Sequence, residues 1–453
     1  MIENFLTDLR KPPCRARRKM VPPSLPSSMD TRQPMSKFGH LVDIDNRTVS
    51  PHAFFDPEVY RAEQEHIFAR CWLYLGHDCQ LPEPGNFITS YMGEEPIIVW
   101  RGPDRAVRAF INSCRHRGMK ICRLDEGSAA RLVCPYHAWT YNSQGELVGR
   151  PEQQKYSSSF DASAWGLIPV PRVASYGGFI FGCFDKNTVD LEEYLGDIKW
   201  YLDTQLKRTP EGRVIFPGVQ KWTINTNWKF VCEQLSGDNY HAPIVHSSVG
   251  RLGFLGKPGQ FAKAAPYEQD FEVRTPQGHS WINLSPTVPP DAHESFEPYE
   301  AQVRSDAAQI LSAKQAELTD CGAVGTVFPN FAFISFLGSI GFRVTLPKGP
   351  AQTEIWFWSA ADSEAPDWRK NMSRDINIRT FTAAGLFDMD DSEMWTGCQE
   401  SMGGFYRAQY PLNYQLGRES GRRETERPGL IDSTPSESGM FGFYERWREL
   451  MTS

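Results

Sequence analysis

Between Leu73 and Phe184 the apolar positions come in short runs, among them Pro96–Trp100, Ala106–Asn112 and Gly178–Phe184, punctuated by Gly, Pro, Asn and Asp. Runs of that length, bounded by turn formers, predict strands, so this stretch is expected to be a small β domain. Both flanks follow a different period. Asp56-Pro57-Glu58 sets a capping Asp before a Pro at the first helical position, and Val59, Ile67 and Phe68 carry the predicted helix to about Trp72. Beyond the β stretch, Leu191, Tyr194, Leu195, Ile198, Leu202 and Leu206 recur at helical spacing. Strands are then expected over Lys221–Asn225, Gly325–Phe336, Gly341–Leu346 and Thr353–Ala361, and helices over Asp367–Ala384 and Phe387–Met402. The β domain, residues 73–185, thus reads as an insertion into a larger α+β domain made of residues 38–72 and 186–453.

Composition narrows the class. The 453 residues are 40% hydrophobic and 13% aromatic, enough for large cores, and the net charge of −7 gives no whole-chain basic field for nucleic acid or a membrane surface. The longest apolar run, Phe331 to Phe342, is interrupted by Ser and Gly, too short to span a bilayer, and predicts paired strands. Residues 1–37 are rich in Pro, Ser and Arg without periodicity, which predicts a disordered tail; Met20, Met29 and Met35 offer alternative starts. The tail lacks the continuous apolar segment of a secretory signal. Ten cysteines lie at irregular spacing, and Cys71, Cys79, Cys183, Cys232 and Cys398 are expected as buried free thiols of a cytoplasmic protein.

Two segments carry chemistry. Cys114-x-His116 is followed after seventeen residues by Cys134-x2-His137, so two thiols and two imidazoles sit in two loops, one of each per loop. That set suits zinc or a [2Fe–2S] cluster whose Cys pair holds one iron and whose His pair holds the other. Zinc fingers usually pair Cys with Cys and His with His, which favours the cluster. Downstream, Glu233–His246 contains Asp238, His241 and His246 in a D-x2-H-x4-H arrangement. Spacing alone leaves open both a second metal and a pair of ordinary histidines.

With Arg115, Gly118, Pro135, Tyr136 and Trp139, the first motif resembles the Rieske motif of the ring-hydroxylating oxygenases, and the second resembles the mononuclear iron motif of the same family. The likeness runs along nearly the whole chain after the tail, including Gly325–Asn330 and Leu412–Gly417, and the chain resembles the large (α) subunits of naphthalene- and biphenyl-type dioxygenases. It implies an antiparallel-β Rieske domain inserted into a helix-grip-type catalytic domain, with a [2Fe–2S] cluster on Cys114, His116, Cys134 and His137 and Fe(II) on His241 and His246. The third iron ligand is implied to be a carboxylate at the end of an aromatic-x2-D-D segment, here Phe387–Asp391.

Asp391 is the expected ligand, with Asp388, Asp390 and Glu393 as competitors. At helical spacing Asp391 shares one face with Met394, Trp395, Cys398 and Met402. Asp388 falls on that face one turn earlier and is expected to precede the helix, while Asp390 and Glu393 project to the sides. By the resemblance, Asp238 joins His241 to His137 of a neighbouring subunit in a head-to-tail trimer; a local role in orienting His241 is the alternative. Gln234, Leu235, Phe387 and Asn330 are expected in the substrate pocket. Met389 stands where the family has a polar residue, which bears on the substrate.

The implied reaction is O2-dependent dihydroxylation of an aromatic ring to a cis-dihydrodiol. The chain has no nucleotide-binding glycine motif, so electrons are expected from NAD(P)H through a reductase and a ferredoxin. A small β subunit in an α3β3 assembly is expected, with α3 as the alternative. A Rieske monooxygenase, such as an aromatic acid hydroxylase or a demethylase, would use the same sites. A plain iron–sulfur electron carrier is a third class, but it leaves residues 186–453 without a task.

Overall fold

The computed structural model describes residues 37–253, 270–286, 289, 292–418 and 421–453. The predicted tail therefore lies outside the described residues except for Lys37. At the centre is a nine-stranded antiparallel sheet. Its order is Arg213–Ile215, Thr353–Asp362, Ser339–Pro347, Phe331–Phe336, Gly322–Val327, Ser280–Leu284, Phe271–Arg274 and Leu430–Ser433, with Gln220–Ile224 also paired to Thr353–Asp362. The helices Trp228–Gly237 and Ser438–Thr452 pack on this sheet and on each other. The apolar run from Phe331 to Phe342 folds as expected into a hairpin: Phe336 pairs with Ser339 across Leu337 and Gly338, both at positive φ. Such a two-residue turn matches the right-handed twist of its strands.

Besides the sheet of Arg172–Tyr176, Phe179–Cys183 and Leu73–His77, the small β domain holds two further antiparallel sheets. One is ordered Val107–Ile111, Glu95–Arg101, Asn86–Met92, Glu126–Ser128, and the other Leu147–Gly149, Thr140–Tyr141, Leu132–Val133. It has its own core around Ile98, Trp100, Phe110, Trp139 and Tyr141. The strand Leu73–His77 leads into it and Phe179–Cys183 leads out, and these two pair antiparallel. A chain that enters and leaves side by side is what an insertion requires.

Three expected elements are interrupted. The Leu191–Leu206 helix is two helices, Leu191–Leu195 and Ile198–Leu206, because Gly196 takes φ 50° and ψ −130°, outside helical space. The Gly325–Phe336 strand is two strands. Between them Phe328 N–H donates to His279 Nδ1 (3.0 Å), and Pro329 has no N–H for a ladder. The first helix begins as expected, with Asp56 Oδ1 accepting from Glu58 N–H (2.8 Å), but after Glu63 it widens into a π-helical turn over Gln64–Phe68.

Glu63, at that junction, is buried and accepts hydrogen bonds from Lys229 Nζ (2.6 Å), Trp228 Nε1 (2.8 Å) and Trp447 Nε1 (2.8 Å). One carboxylate thus ties the segment before the insertion to both helices on the large sheet. Glu63→Ala strands the buried Lys229 ammonium, and a loss of about 3–5 kcal/mol is expected in chemical denaturation.

His279 is fully buried, its Nε2 donating to Tyr194 O (2.8 Å) while Nδ1 accepts from Phe328. Burial drives its pKa down to about 4, so the neutral form stabilises the fold. That contribution is complete above the unfolded value of about 6.5 and is lost as pH falls from there to about 4. The stability gap between the wild type and His279→Gln should narrow by roughly 3 kcal/mol across that window, read from urea midpoints.

Nine described cysteines are free thiols. Cys71, Cys183 and Cys232 are buried as expected, Cys79 is only partly so, and Cys398 is exposed. Among the described residues no helix is long and apolar enough to cross a membrane.

Candidate metal centres

The two Cys/His loops are built alike. In the first, Cys114 N–H donates to Met119 O (2.9 Å) and Gly118 N–H to Cys114 O (2.8 Å); in the second, Cys134 N–H donates to Trp139 O (2.8 Å) and Ala138 N–H to Cys134 O (2.9 Å). The fifth residue of each loop, Gly118 or Ala138, takes positive φ, so both loops turn through the same left-handed step. Cys114 and Cys134 are buried while His116 and His137 are half-exposed, the imidazole rings 4.6 Å apart at 71°. Tyr141 Oη lies 3.3 Å from Cys114 Sγ and accepts from Arg115 N–H (3.2 Å). His116 stacks on Trp139 (4.9 Å, 8°), and its Nδ1 is buried with no hydrogen-bond partner. Two desolvated thiols inside, two imidazoles outside and an orphaned ring nitrogen fit a cluster with unlike irons.

The second centre forms where the helix Trp228–Gly237 ends. Its N-cap Asn227 accepts from Lys229 N–H (3.1 Å) and Asp238 is its C-cap. One turn on, His241 and His246 flank the short helix Ala242–Val245. The helix Leu386–Met402 brings Asp391 against them: Asp391 Oδ1 is 3.4 Å from Nε2 of each imidazole. Among the described residues this trio alone gathers three metal-ligating atoms within 4.8 Å.

Each imidazole turns its other nitrogen to a second carboxylate. His241 Nδ1 lies 3.3 Å from Asp238 Oδ2, a contact whose angle falls short of a full hydrogen bond, while His241 N–H donates to Asp238 Oδ1 (3.0 Å). His246 Nδ1 lies 3.3 Å from Asp390 Oδ2. Such outer carboxylates orient metal-binding imidazoles. Burial disfavours a charged His241, yet Asp238 and Asp391 outweigh it and push its pKa up to about 10. Asp391 Oδ1 is buried and has no hydrogen-bond partner. The pocket calls for positive charge, which a divalent ion held by His241, His246 and Asp391 would supply.

Three expectations need correction. Asp388 does not precede the helix, which starts at Leu386; it lies in the first turn, buried, and accepts from Arg343 Nη2. Met394 and Cys398 do not share the buried face: Met394 is 46% exposed, and only Trp395 and Met402 of that apolar set are inside. Asp390, expected at the side, reaches His246. Glu233 takes no part in the metal pocket; it accepts from Tyr414 Oη (2.8 Å) and Tyr444 Oη, and burial raises its pKa to about 8.

Of the expected pocket residues, Gln234 Nε2 is 3.4 Å from His241 Nε2, Phe387 packs edge-on against His246 (4.6 Å), and Leu235 is buried beside them in sequence. Asn330 is buried in the turn between two strands, its Nδ2 donating to Thr345 O (3.0 Å). No motif or period singles out Phe381 and Phe336, whose rings lie 5.4 and 6.0 Å from Phe387 and extend its wall. Strand alternation marks Phe336 as facing one side of the sheet, but nothing local marks which helix it meets.

Residues 71–176 match the Rieske [2Fe-2S] domain, and residues 191–453 match the catalytic domain of the ring-hydroxylating α subunit. The chain is 34% identical over 430 residues to a biphenyl dioxygenase α subunit of Metapseudomonas furukawaii, covering 91% of this chain and 92% of the relative. It is 35% identical over 427 residues to a benzene 1,2-dioxygenase α subunit of Pseudomonas putida, covering 92% and 94%. A solved structure of naphthalene 1,2-dioxygenase with indole bound in its active site superposes with a TM-score of 0.86 at 29% identity, covering 91% of this chain and 94% of that one. The chain belongs to the ring-hydroxylating oxygenase α-subunit family, with a Rieske [2Fe–2S] domain followed by a non-haem iron catalytic domain.

Proposed function

We propose that the chain is the terminal oxygenase subunit that adds both atoms of O2 to an aromatic ring, giving a cis-dihydrodiol. Cys114, His116, Cys134 and His137 hold the [2Fe–2S] cluster, and His241, His246 and Asp391 hold Fe(II). The observation that carries this reading is the convergence of two imidazole Nε2 atoms on one orphaned carboxylate oxygen beside a wall of three phenylalanines. Two His and one carboxylate on one face of iron leave the other face open to O2. The residues around it divide the remaining work: Asp238 and Asp390 hold the imidazoles in orientation, and Phe387, Phe381 and Phe336 offer an apolar wall against which a ring can pack.

NAD(P)H supplies two electrons, passed singly through a reductase and a ferredoxin to the cluster, and the product gains two protons. Aromatic hydrocarbons are the substrate class, in line with the biphenyl, benzene and naphthalene dioxygenases among the relatives. Asp238 links the cluster of one subunit to the iron of the next, across a head-to-tail trimer capped by a small β subunit in α3β3 form, in the cytoplasm. The test is turnover of an aromatic hydrocarbon with NADH, ferredoxin and reductase under 18O2. Two labelled oxygens in a cis-diol are expected; a single labelled oxygen would assign a monooxygenase instead.

A further inference from the structure

We propose that Trp395 is a positioning residue that fixes the amide of Gln234 with its NH2 group towards the open side of the His241–His246–Asp391 site, where it donates a hydrogen bond to the entering O2. The inference rests on the iron-site reading given under Proposed function. Trp395 Nε1 lies 2.7 Å from Gln234 Oε1. An indole N–H only donates, so the amide oxygen must face it and the amide nitrogen must occupy the opposite end. That nitrogen is the atom 3.4 Å from His241 Nε2. Trp395 is 3% exposed, and its own carbonyl accepts from Thr226 Oγ1 (3.1 Å). The amide therefore cannot flip without breaking a partly buried hydrogen bond.

His241 Nε2 is no lasting acceptor for that NH2, because it gives its lone pair to a proton or to a metal. An amide nitrogen has no lone pair to offer a metal either. Gln234 thus leaves the site open while aiming an N–H at it. Donors held in place before the reaction are more effective than ones that must reorient during it. The helix Trp228–Gly237 contributes Gln234 and the helix Leu386–Met402 contributes both Asp391 and Trp395, so one helix carries an iron ligand and the residue that aims the donor.

The experiment uses the full metal-loaded enzyme, with nitric oxide as the probe of the ferrous site. Trp395→Phe keeps the ring and removes the N–H; Gln234→Met keeps the length and removes the donor. Both variants are expected to retain iron, to alter the rhombicity of the iron–nitrosyl EPR spectrum, and to lower the fraction of O2 coupled to product by about three- to ten-fold. The double variant is expected to be no worse than either single one, since the two residues act as a unit. A Trp395→Phe spectrum and coupling equal to wild type would overturn the proposal, as would fully additive effects. Loss of iron from Trp395→Phe would overturn it as well, making Trp395 a support of the metal site. Absence of mononuclear iron from the wild type would instead defeat the reading of the site itself.

Discussion

Asp391→Ala is expected to empty the mononuclear iron site and abolish oxygen uptake while leaving the Rieske EPR spectrum unchanged. Asp391 Oδ1 is the one carboxylate oxygen 3.4 Å from both His241 Nε2 and His246 Nε2. Loss of an outer orienting partner already lowers metal affinity by about 10–100-fold, so loss of a direct ligand should lower it by more than about 100-fold. The neighbouring carboxylates give graded controls. Asp390→Ala removes the partner of His246 Nδ1 and should weaken iron by about 10–100-fold. Glu393 is exposed, and Glu393→Ala should leave iron and activity intact. Asp388→Ala deprives the buried Arg343 of its partner, so its main effect should be on stability, about 3–5 kcal/mol. If Asp388→Ala emptied a well-folded site and Asp391→Ala did not, the ligand would lie one turn earlier. Metal analysis on the four purified variants decides among these outcomes.

Asp238→Ala, loaded with both metals, is expected to lose turnover by more than about 100-fold. Asp238 Oδ1 accepts from His241 N–H and Oδ2 faces His241 Nδ1, yet two carboxylate oxygens offer about four lone-pair sites. Its side chain is 21% exposed, so part of it stays open to a neighbouring molecule. A residue that only oriented His241 would, when removed, lower iron affinity and leave electron transfer into a reloaded site intact. The bridging role predicts a second effect that reloading with iron does not repair: the cluster is reduced at a normal rate by ferredoxin, but its reoxidation with substrate and O2 is slowed in a single turnover. Full activity in a metal-replete Asp238→Ala enzyme would remove Asp238 from the electron path.

The parts of this architecture visible in the sequence are those with local causes. Each Cys/His loop closes on itself through hydrogen bonds within six residues, and the Asp56 cap acts within two. The hairpin at Leu337-Gly338 follows from one apolar run with a turn in its middle. Helical phase set Asp391 and Trp395 on one inward face, and both are buried. The same phase misplaced Met394 and Cys398, because the inward face extends only as far as a neighbour covers it, and that neighbour is remote in sequence. Arg343 meets Asp388 across 45 positions, Trp395 meets Gln234 across 161, and Glu63 meets Trp447 across 384. No period or motif encodes such pairings. The breaks at Gly196 and at Phe328–Asn330 were hidden for a related reason: apolar periodicity continues through them, while the backbone turns to satisfy a glycine conformation in one case and the buried His279 in the other.

Two different iron centres in one chain are distinguished by total iron and sulfide analysis of the purified protein coupled to EPR after reduction. About three iron atoms and two sulfides per chain are expected, with a low-average-g Rieske spectrum from the cluster. A colourless protein carrying one zinc, or two iron atoms with no third, would contradict that expectation.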